Sequence, residues 1–236
     1  QHRSKQDSPA SARFGGPEDQ SVSDGRPFPA VTQQSMKGDR ILYRLKDNVT
    51  TIKQLSEFLP MDEHTAERLE KIAKRFPVSI PRYYLSLIDP GDPHDPIRRM
   101  CVPSLEETIP DGMPDTSGEA QNTVIKGMQH KYEQTALILS SSRCAMYCRH
   151  CFRKRMVGLT DEEIVKNFEP MLAYIRSHKE ITNVLVTGGD ALLNSNDVVG
   201  FYLDRLSGIE HLKFIRLGTR VPATFPFRIN EDPGLL

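Results

Sequence analysis

Three short runs of this chain, Thr135–Leu139, Asn183–Thr187 and Leu212–Leu217, set apolar residues side by side instead of alternating them with polar ones. A strand with one wet face alternates; a strand covered on both faces reads as a nearly continuous apolar run. Between the runs lie segments of helical period. Thr160-Asp-Glu-Glu163 has the form of a capping box, expected to start a helix carrying Ile164, Val165, Phe168 and Leu172 that Pro170 should kink or split. Ser195 or Asn196 can cap a second helix through Val198, Val199, Tyr202, Leu203 and Leu206, with Gly208 at its end. The order is β-α-β-α-β, the pattern of a parallel sheet covered by helices, so the fold class is α/β. Three strands make an open half-structure, and the chain is expected to be a piece of something longer.

In such sheets active groups gather beyond the carboxyl ends of the strands. The first run leads into Arg143-Cys-Ala-Met-Tyr-Cys-Arg-His-Cys-Phe-Arg-Lys-Arg155, the second ends in Gly188-Gly189-Asp190, and the third runs into Gly218-Thr219-Arg220. Cys144, Cys148 and Cys151 follow a C-x3-C-x2-C spacing, so one loop can bring three thiolates to a single inorganic centre. Three ligands are one short of a closed site, because structural zinc normally has four protein ligands and cubane clusters commonly have four thiolates. A four-iron cluster held by three cysteines would leave one iron free to take a small molecule through N and O atoms.

Two other readings stand beside that one. A zinc module could be closed by His150 or the remote Cys101, although His150 adjoins Cys151 and both could reach one ion only through a sharp bend. The thiols could also be free and buried for packing in a reducing cytosol. A disulfide framework does not suit four cysteines in 236 residues, since disulfide-dense chains are small and secreted. Gly188 and Gly189 expose backbone N–H and C=O groups, and Asp190 can accept from an ammonium, but glycines after a strand commonly do no more than turn the chain.

Upstream, residues 1–38 are rich in Ser, Gly, Pro, Gln and Asp without a hydrophobic period, and a disordered tail is expected. Residues 39–128 form a helical N-terminal region. Ile52, Leu55, Phe58 and Leu59 make a stripe stopped by Pro60, Asp62 opens a helix over Glu63–Phe76, and a short helix over Arg82–Ile88 follows Pro81. Asp89–Pro96 is a stiff Pro-rich loop, and Gly112–Gly127 looks irregular. Residues 129–236 hold the β-α core. Thirty-one basic and thirty-one acidic residues cancel, so no global field argues for nucleic acid or a membrane surface. No apolar run approaches the roughly 20 residues that span a bilayer, and no signal-peptide segment is evident. A soluble cytoplasmic protein is expected.

The cysteine spacing resembles that of the radical S-adenosylmethionine (SAM) enzymes, and four segments narrow the resemblance to the lysine 2,3-aminomutase family. These are Tyr83-Tyr-Leu-Ser-Leu-Ile-Asp-Pro-Gly-Asp-Pro93, Cys144–Cys151 with Arg153-Lys-Arg155, Val186-Thr-Gly-Gly-Asp-Ala-Leu-Leu193, and Leu217-Gly-Thr-Arg220. The resemblance implies a partial (β/α) radical SAM barrel and an isomerase that interchanges α- and β-amino groups, with L-lysine as substrate. It implies three cofactors: a 4Fe-4S cluster on Cys144, Cys148 and Cys151, SAM at Gly188, Gly189 and Asp190, and pyridoxal phosphate (PLP) near Lys131 and Tyr132. By the same resemblance Arg153 receives the substrate carboxylate, His150 lines the cluster or adenine side, and Arg220 is a further SAM candidate. The family commonly has Arg where this chain has Lys131 and Thr135. Its Schiff-base lysine and the acids for the substrate's ε-ammonium are expected beyond Leu236. An electron donor such as flavodoxin or ferredoxin is the implied partner, and a homo-oligomer is compatible. A relative acting on a lysine of translation elongation factor P, and a non-catalytic zinc module, are the competing functions. Which amino acid is used stays open at this level.

Overall fold

The computed structural model describes residues 42–109 and 112–235. The tail expected over 1–38 lies outside them. The first half of the described chain is helical: a 3-10 helix over Leu42–Asp47, then α1 (Ile52–Ser56), α2 (Glu63–Arg75), α3 (Arg82–Leu85) and α4 (Pro96–Cys101), and a second 3-10 turn over Leu105–Thr108. Asp62 caps α2 by accepting from Thr65 N at 2.8 Å, as its position before the apolar stripe predicts. Pro96 does not end a loop but opens α4, where a proline costs no hydrogen bond, with Asp95 as the cap. Ile52, Leu55, Leu69, Ile72, Ile80 and Cys101 form the core of this region, and Met146 from the cysteine loop packs into it.

A short α5 (Glu119–Asn122) leads into β1 (Thr123–Ile125) and β2 (Met128–Tyr132), followed by β3 (Thr135–Ser141), α6 (Glu169–Ser177), β4 (Asn183–Gly188), α7 (Asn196–Ser207), β5 (Phe214–Leu217), α8 (Val221–Thr224) and α9 (Phe227–Asn230). The sheet order is β1-β2-β3-β4-β5. β3, β4 and β5 are parallel, as their apolar runs predict, but β1 and β2 are antiparallel additions. The sheet is therefore mixed, and the expected all-parallel arrangement is corrected at this edge. The segment His130–Tyr132 belongs to a strand of its own, paired through Tyr132 and Thr135 across a tight hairpin turn. Its polar residues hid it, because a strand with one wet face has no continuous apolar run.

Helix α6 also departs from expectation. It starts at Glu169, with Pro170 in its first turn, and not at the Thr160 box. A proline inside a longer helix would remove one backbone bond and clash with the preceding turn, whereas in the first turn it costs neither. Thr160 makes only a local contact to Glu162 N.

Ala136 and Ile138 of β3 and Val184 and Val186 of β4 face α6 and α7, where Phe168, Met171, Leu172, Ile175, Val198, Tyr202 and Leu206 close one core. By alternation, Thr135, Leu137 and Leu139, then Asn183, Leu185 and Thr187, occupy the opposite face. There Leu139 is buried under Met156, Val157 and Ile164 from the segment after the cysteine loop. The same face is open at β5, where Phe214 and Arg216 are exposed. Among the described residues, no helix is long and apolar enough to cross a membrane.

Candidate functional site

The three strand-end segments come together at the carboxyl edge of β3, β4 and β5. Gly188 has φ +125°, a left-handed backbone that disfavours other residues. A Cβ on Gly188 or Gly189 would collide with the backbone of Ser141 or Arg143. These glycines therefore let the end of β4 lie against the start of the cysteine loop. Gly189 N donates to Ser141 O, and Asp190 N donates to Arg143 O at 2.7 Å. The third segment joins through Asp190, whose carboxylate accepts from Leu192 N at 3.0 Å, Thr219 Oγ1 at 2.7 Å and Arg220 N at 2.7 Å. Burial pushes the Asp190 carboxyl up, against the pull of those hydrogen bonds. Asp190 thus holds the loop after β5, a job that its sequence context did not disclose.

The cysteine loop is pinned from its other side by the helical region. Tyr147 N donates to Ser79 O and Arg149 N to Met100 O, each at 2.9 Å. Arg149 is buried and gives Nε and Nη2 to the Glu107 carboxylate at 2.9 and 2.7 Å, and Nη1 to the carbonyls of Phe76 and Pro77. Lys154 Nζ reaches the same carboxylate at 2.7 Å. Burial pushes the Glu107 carboxyl up, but the bonds from Arg149 and Lys154 outweigh it and hold it below the ordinary glutamate range. Ser104-x-x-Glu107 is a capping box visible in sequence, yet nothing local tells that its acid also serves Arg149.

Cys144, Cys148 and Cys151 are all free thiols, each half-buried. Burial first, and then the charge of neighbouring acids and cysteines, pushes Cys144 up. Cys148 is raised mainly by burial, against Arg220, whose Nη1 donates to its Sγ at 2.6 Å. The three thiols are near enough for their charges to act on one another. They are not gathered on a point: among the described residues no group of three His, Cys, Asp or Glu side chains is placed to hold one metal ion. Three reduced, half-buried thiols on one loop, one of them beside the Arg220 guanidinium, are donors of the kind that a cluster or a zinc ion takes. His150 is exposed, and its ring is held below the ordinary histidine range by burial and then by Arg220 and Lys154. Cys101 lies fully buried in the helical core with Sγ directed to Ile97 O, and its thiol is pushed up to about 12 by burial.

Arg153 is buried. Its Nε and Nη2 meet Glu119 Oε1, each at 2.8 Å, and its Nη1 reaches Gly188 O at 3.2 Å. Glu119, from a segment that reads as irregular in sequence, also accepts from Arg155 and Gln129. Burial raises its carboxyl, but the bonds from Arg153 and Arg155 prevail and hold it below the usual range. Lys131 and Tyr132 stand elsewhere, exposed at the amino end of β3, with Lys131 Nζ bonded to Ser117 O at 2.9 Å. From Thr135 to Ser141 the strand separates that end from the cysteine loop by roughly 20 Å at about 3.3 Å per residue. The structure therefore brings the cysteines, the two glycines, Asp190, Arg220 and Arg153 to one rim, and sets Lys131 and Tyr132 at the other.

No protein-family model matches the chain. Curated relatives do. The chain is 32% identical over 194 residues to L-lysine 2,3-aminomutase of Clostridium subterminale, covering 80% of this chain and 46% of that one. It is 34% identical over 193 residues to L-lysine 2,3-aminomutase of Acetoanaerobium sticklandii, covering 80% and 47%. It is 36% identical over 194 residues to glutamate 2,3-aminomutase of Clostridioides difficile strain 630, covering 80% and 46%. The chain thus spans about half the length of the curated relatives it matches.

Proposed function

Because the chain belongs to the lysine 2,3-aminomutase family, we propose that this protein serves a radical SAM, PLP-dependent 2,3-aminomutase acting on L-lysine in the cytoplasm. The observation that carries the reading is the meeting of the cysteine loop, Gly188-Gly189-Asp190 and Gly218-Thr219-Arg220 at one sheet edge. In this reading the parallel strands β3, β4 and β5 belong to a (β/α) radical SAM barrel whose lumen is the sheet's open face. Cys144, Cys148 and Cys151 would hold a 4Fe-4S cluster, and Gly188, Gly189 and Asp190, with Arg220, would hold SAM. Lys131 and Tyr132 would seat PLP from the opposite rim, leaving the substrate between the two ends. When bound, the reduced cluster and SAM would supply radical chemistry for hydrogen abstraction, and PLP would supply the chemistry for moving the amino group. Electrons would come from a flavodoxin or ferredoxin.

The chain's own contributions follow from its geometry. Arg220 places positive charge against Cys148, which favours the thiolate form that iron needs. Arg153 sets a planar guanidinium beside the end of β4, a group suited to a carboxylate. Leu137 and Leu185, each half-buried, make the sheet's open face apolar between the two rims. The relative named for glutamate keeps that amino acid as the second substrate to assay.

Anaerobic reconstitution tests the reading. Iron and sulfide should bind and give broad visible absorption, and SAM should perturb the spectrum of the reduced protein. Cys148→Ala should lose most of the iron. A full iron complement in that variant, or stoichiometric zinc without sulfide in the wild type, would refute the cluster assignment.

A further inference from the structure

Glu119 is 3% exposed, its carboxylate accepts from Arg153 Nε, Arg155 Nη2 and Gln129 Nε2, and Arg153 Nη2 stands 2.8 Å from Oε1 as an ion pair. The backbone beneath it is also held. Asp115 accepts from Glu119 N at 2.8 Å and from Ala120 N at 2.9 Å. A buried carboxylate with this many donors on an anchored backbone has little freedom to turn, and it cannot be released into water without leaving two guanidinium groups short of a partner.

What Glu119 does to Arg153 is selective. A guanidinium has five N–H donors in a fixed fork. Glu119 Oε1 takes the one on Nε and lies 2.8 Å from Nη2 as an ion pair, and Gly188 O takes one from Nη1. That leaves one N–H on Nη1 and the two on Nη2 outside those hydrogen bonds. A carboxylate bound by arginine uses two adjacent N–H groups of this kind. The third contact matters as well, because Gly188 is the last residue of β4, where that strand lies against the chain entering the cysteine segment. The orientation of Arg153 is thereby referenced to the strand end where the reaction is proposed to occur.

We infer that Glu119 is a positioning residue: it grips one edge of Arg153 and, with the Gly188 carbonyl, leaves N–H groups of Nη1 and Nη2 for the carboxylate of the amino-acid substrate. The inference rests on the reading of Arg153 as the carboxylate receptor. Glu119 itself touches neither substrate nor cofactor. Arg155, paired to both Glu119 and Glu163, and Gln129 serve as its lateral supports.

The test separates positioning from bulk stability by pairing each amino acid with its decarboxylated form. In the PLP-loaded holoenzyme without SAM, affinities are measured for L-lysine and 1,5-diaminopentane, and for L-glutamate and 4-aminobutyrate. Glu119→Gln should weaken the amino acid that the wild type binds by about tenfold or more, the loss expected for a misplaced charged hydrogen bond. It should leave the matching amine unchanged, and KM should rise more than kcat falls. Arg153→Lys should show the same carboxylate-specific loss. If Glu119→Gln does not fold, Glu119→Asp, which keeps the charge and draws the carboxylate back by one methylene, is read by the same pair of affinities. An equal loss for amino acid and amine, or no loss, overturns the positioning role while an Arg153→Lys effect preserves the carboxylate reading. An Arg153→Lys protein with unchanged affinity overturns that reading and this inference together, as does a wild type that binds neither amino acid.

Discussion

Replacing Gly189 by alanine adds one methyl group where the end of β4 meets the cysteine loop. A Cβ there would lie 2.6 Å from the carbonyl carbon of Arg143 and 2.8 Å from its nitrogen, and closer still to its oxygen. Carbon contacts are comfortable near 3.5–4.0 Å, so one backbone must retreat by roughly 1 Å. No flexible side chain can absorb the shift, because every colliding atom is main chain. Overpacking of this kind costs about 1–3 kcal/mol. The movement also stretches the bonds from Gly189 N to Ser141 O and from Asp190 N to Arg143 O, each worth about 0.5–1.5 kcal/mol net. The expected loss is therefore about 2–6 kcal/mol. Gly200 is the matched control. It lies inside α7 with no atom within 4 Å of a built Cβ, so Gly200→Ala should stabilise by about 0.5–1 kcal/mol. Urea unfolding followed by far-UV circular dichroism reads both variants. Thiol-reagent reactivity of Cys144, the residue next to Arg143, should rise in Gly189→Ala alone. If Gly189→Ala unfolds within about 0.5 kcal/mol of wild type, the close approach of the two strand ends is not the constraint argued above.

Glu107→Gln should destabilise by about 2–4 kcal/mol, because Arg149 is left buried beside a neutral partner, and urea unfolding at neutral pH should show it. The wild-type carboxyl is held below its ordinary value, so its contribution is complete above the unfolded glutamate pKa and disappears as pH falls through the folded one. Glu107→Gln should accordingly flatten the acid limb of the stability–pH curve, and an unchanged limb would remove Glu107 from it. Asp190→Asn should cost about 1–3 kcal/mol, because an amide N–H replaces one acceptor for Thr219 or Arg220. Hydrogen exchange at residues 218–221 should speed up in that variant, and unchanged protection there would show that the loop after β5 is held by other contacts.

The strongly periodic parts of the fold were legible because their causes are local. Asp62 before an apolar stripe, Ser195 before Val198 and Val199, and the apolar runs of β3 and β4 each satisfy their own backbone or bury their own face wherever the chain places them. The cysteine spacing is local in the same sense, since three thiols on one loop are neighbours in any fold. Pairings between distant segments were not legible. β2 hid because Gln129, His130 and Lys131 give it no apolar run, and its strand character comes from the ladder that β3 offers. The start of α6 went to Pro170 over the Thr160 box, because a missing N–H is tolerated in a first turn and nowhere later. Glu107 and Glu119 carry the clearest lesson. Each is one acid among many in sequence, and each becomes the buried partner of an arginine 42 or 34 residues away only when tertiary packing removes the water that would otherwise solvate both. Sequence set which donors and strands are available; desolvation, which exists only in the folded chain, decided which of them must meet.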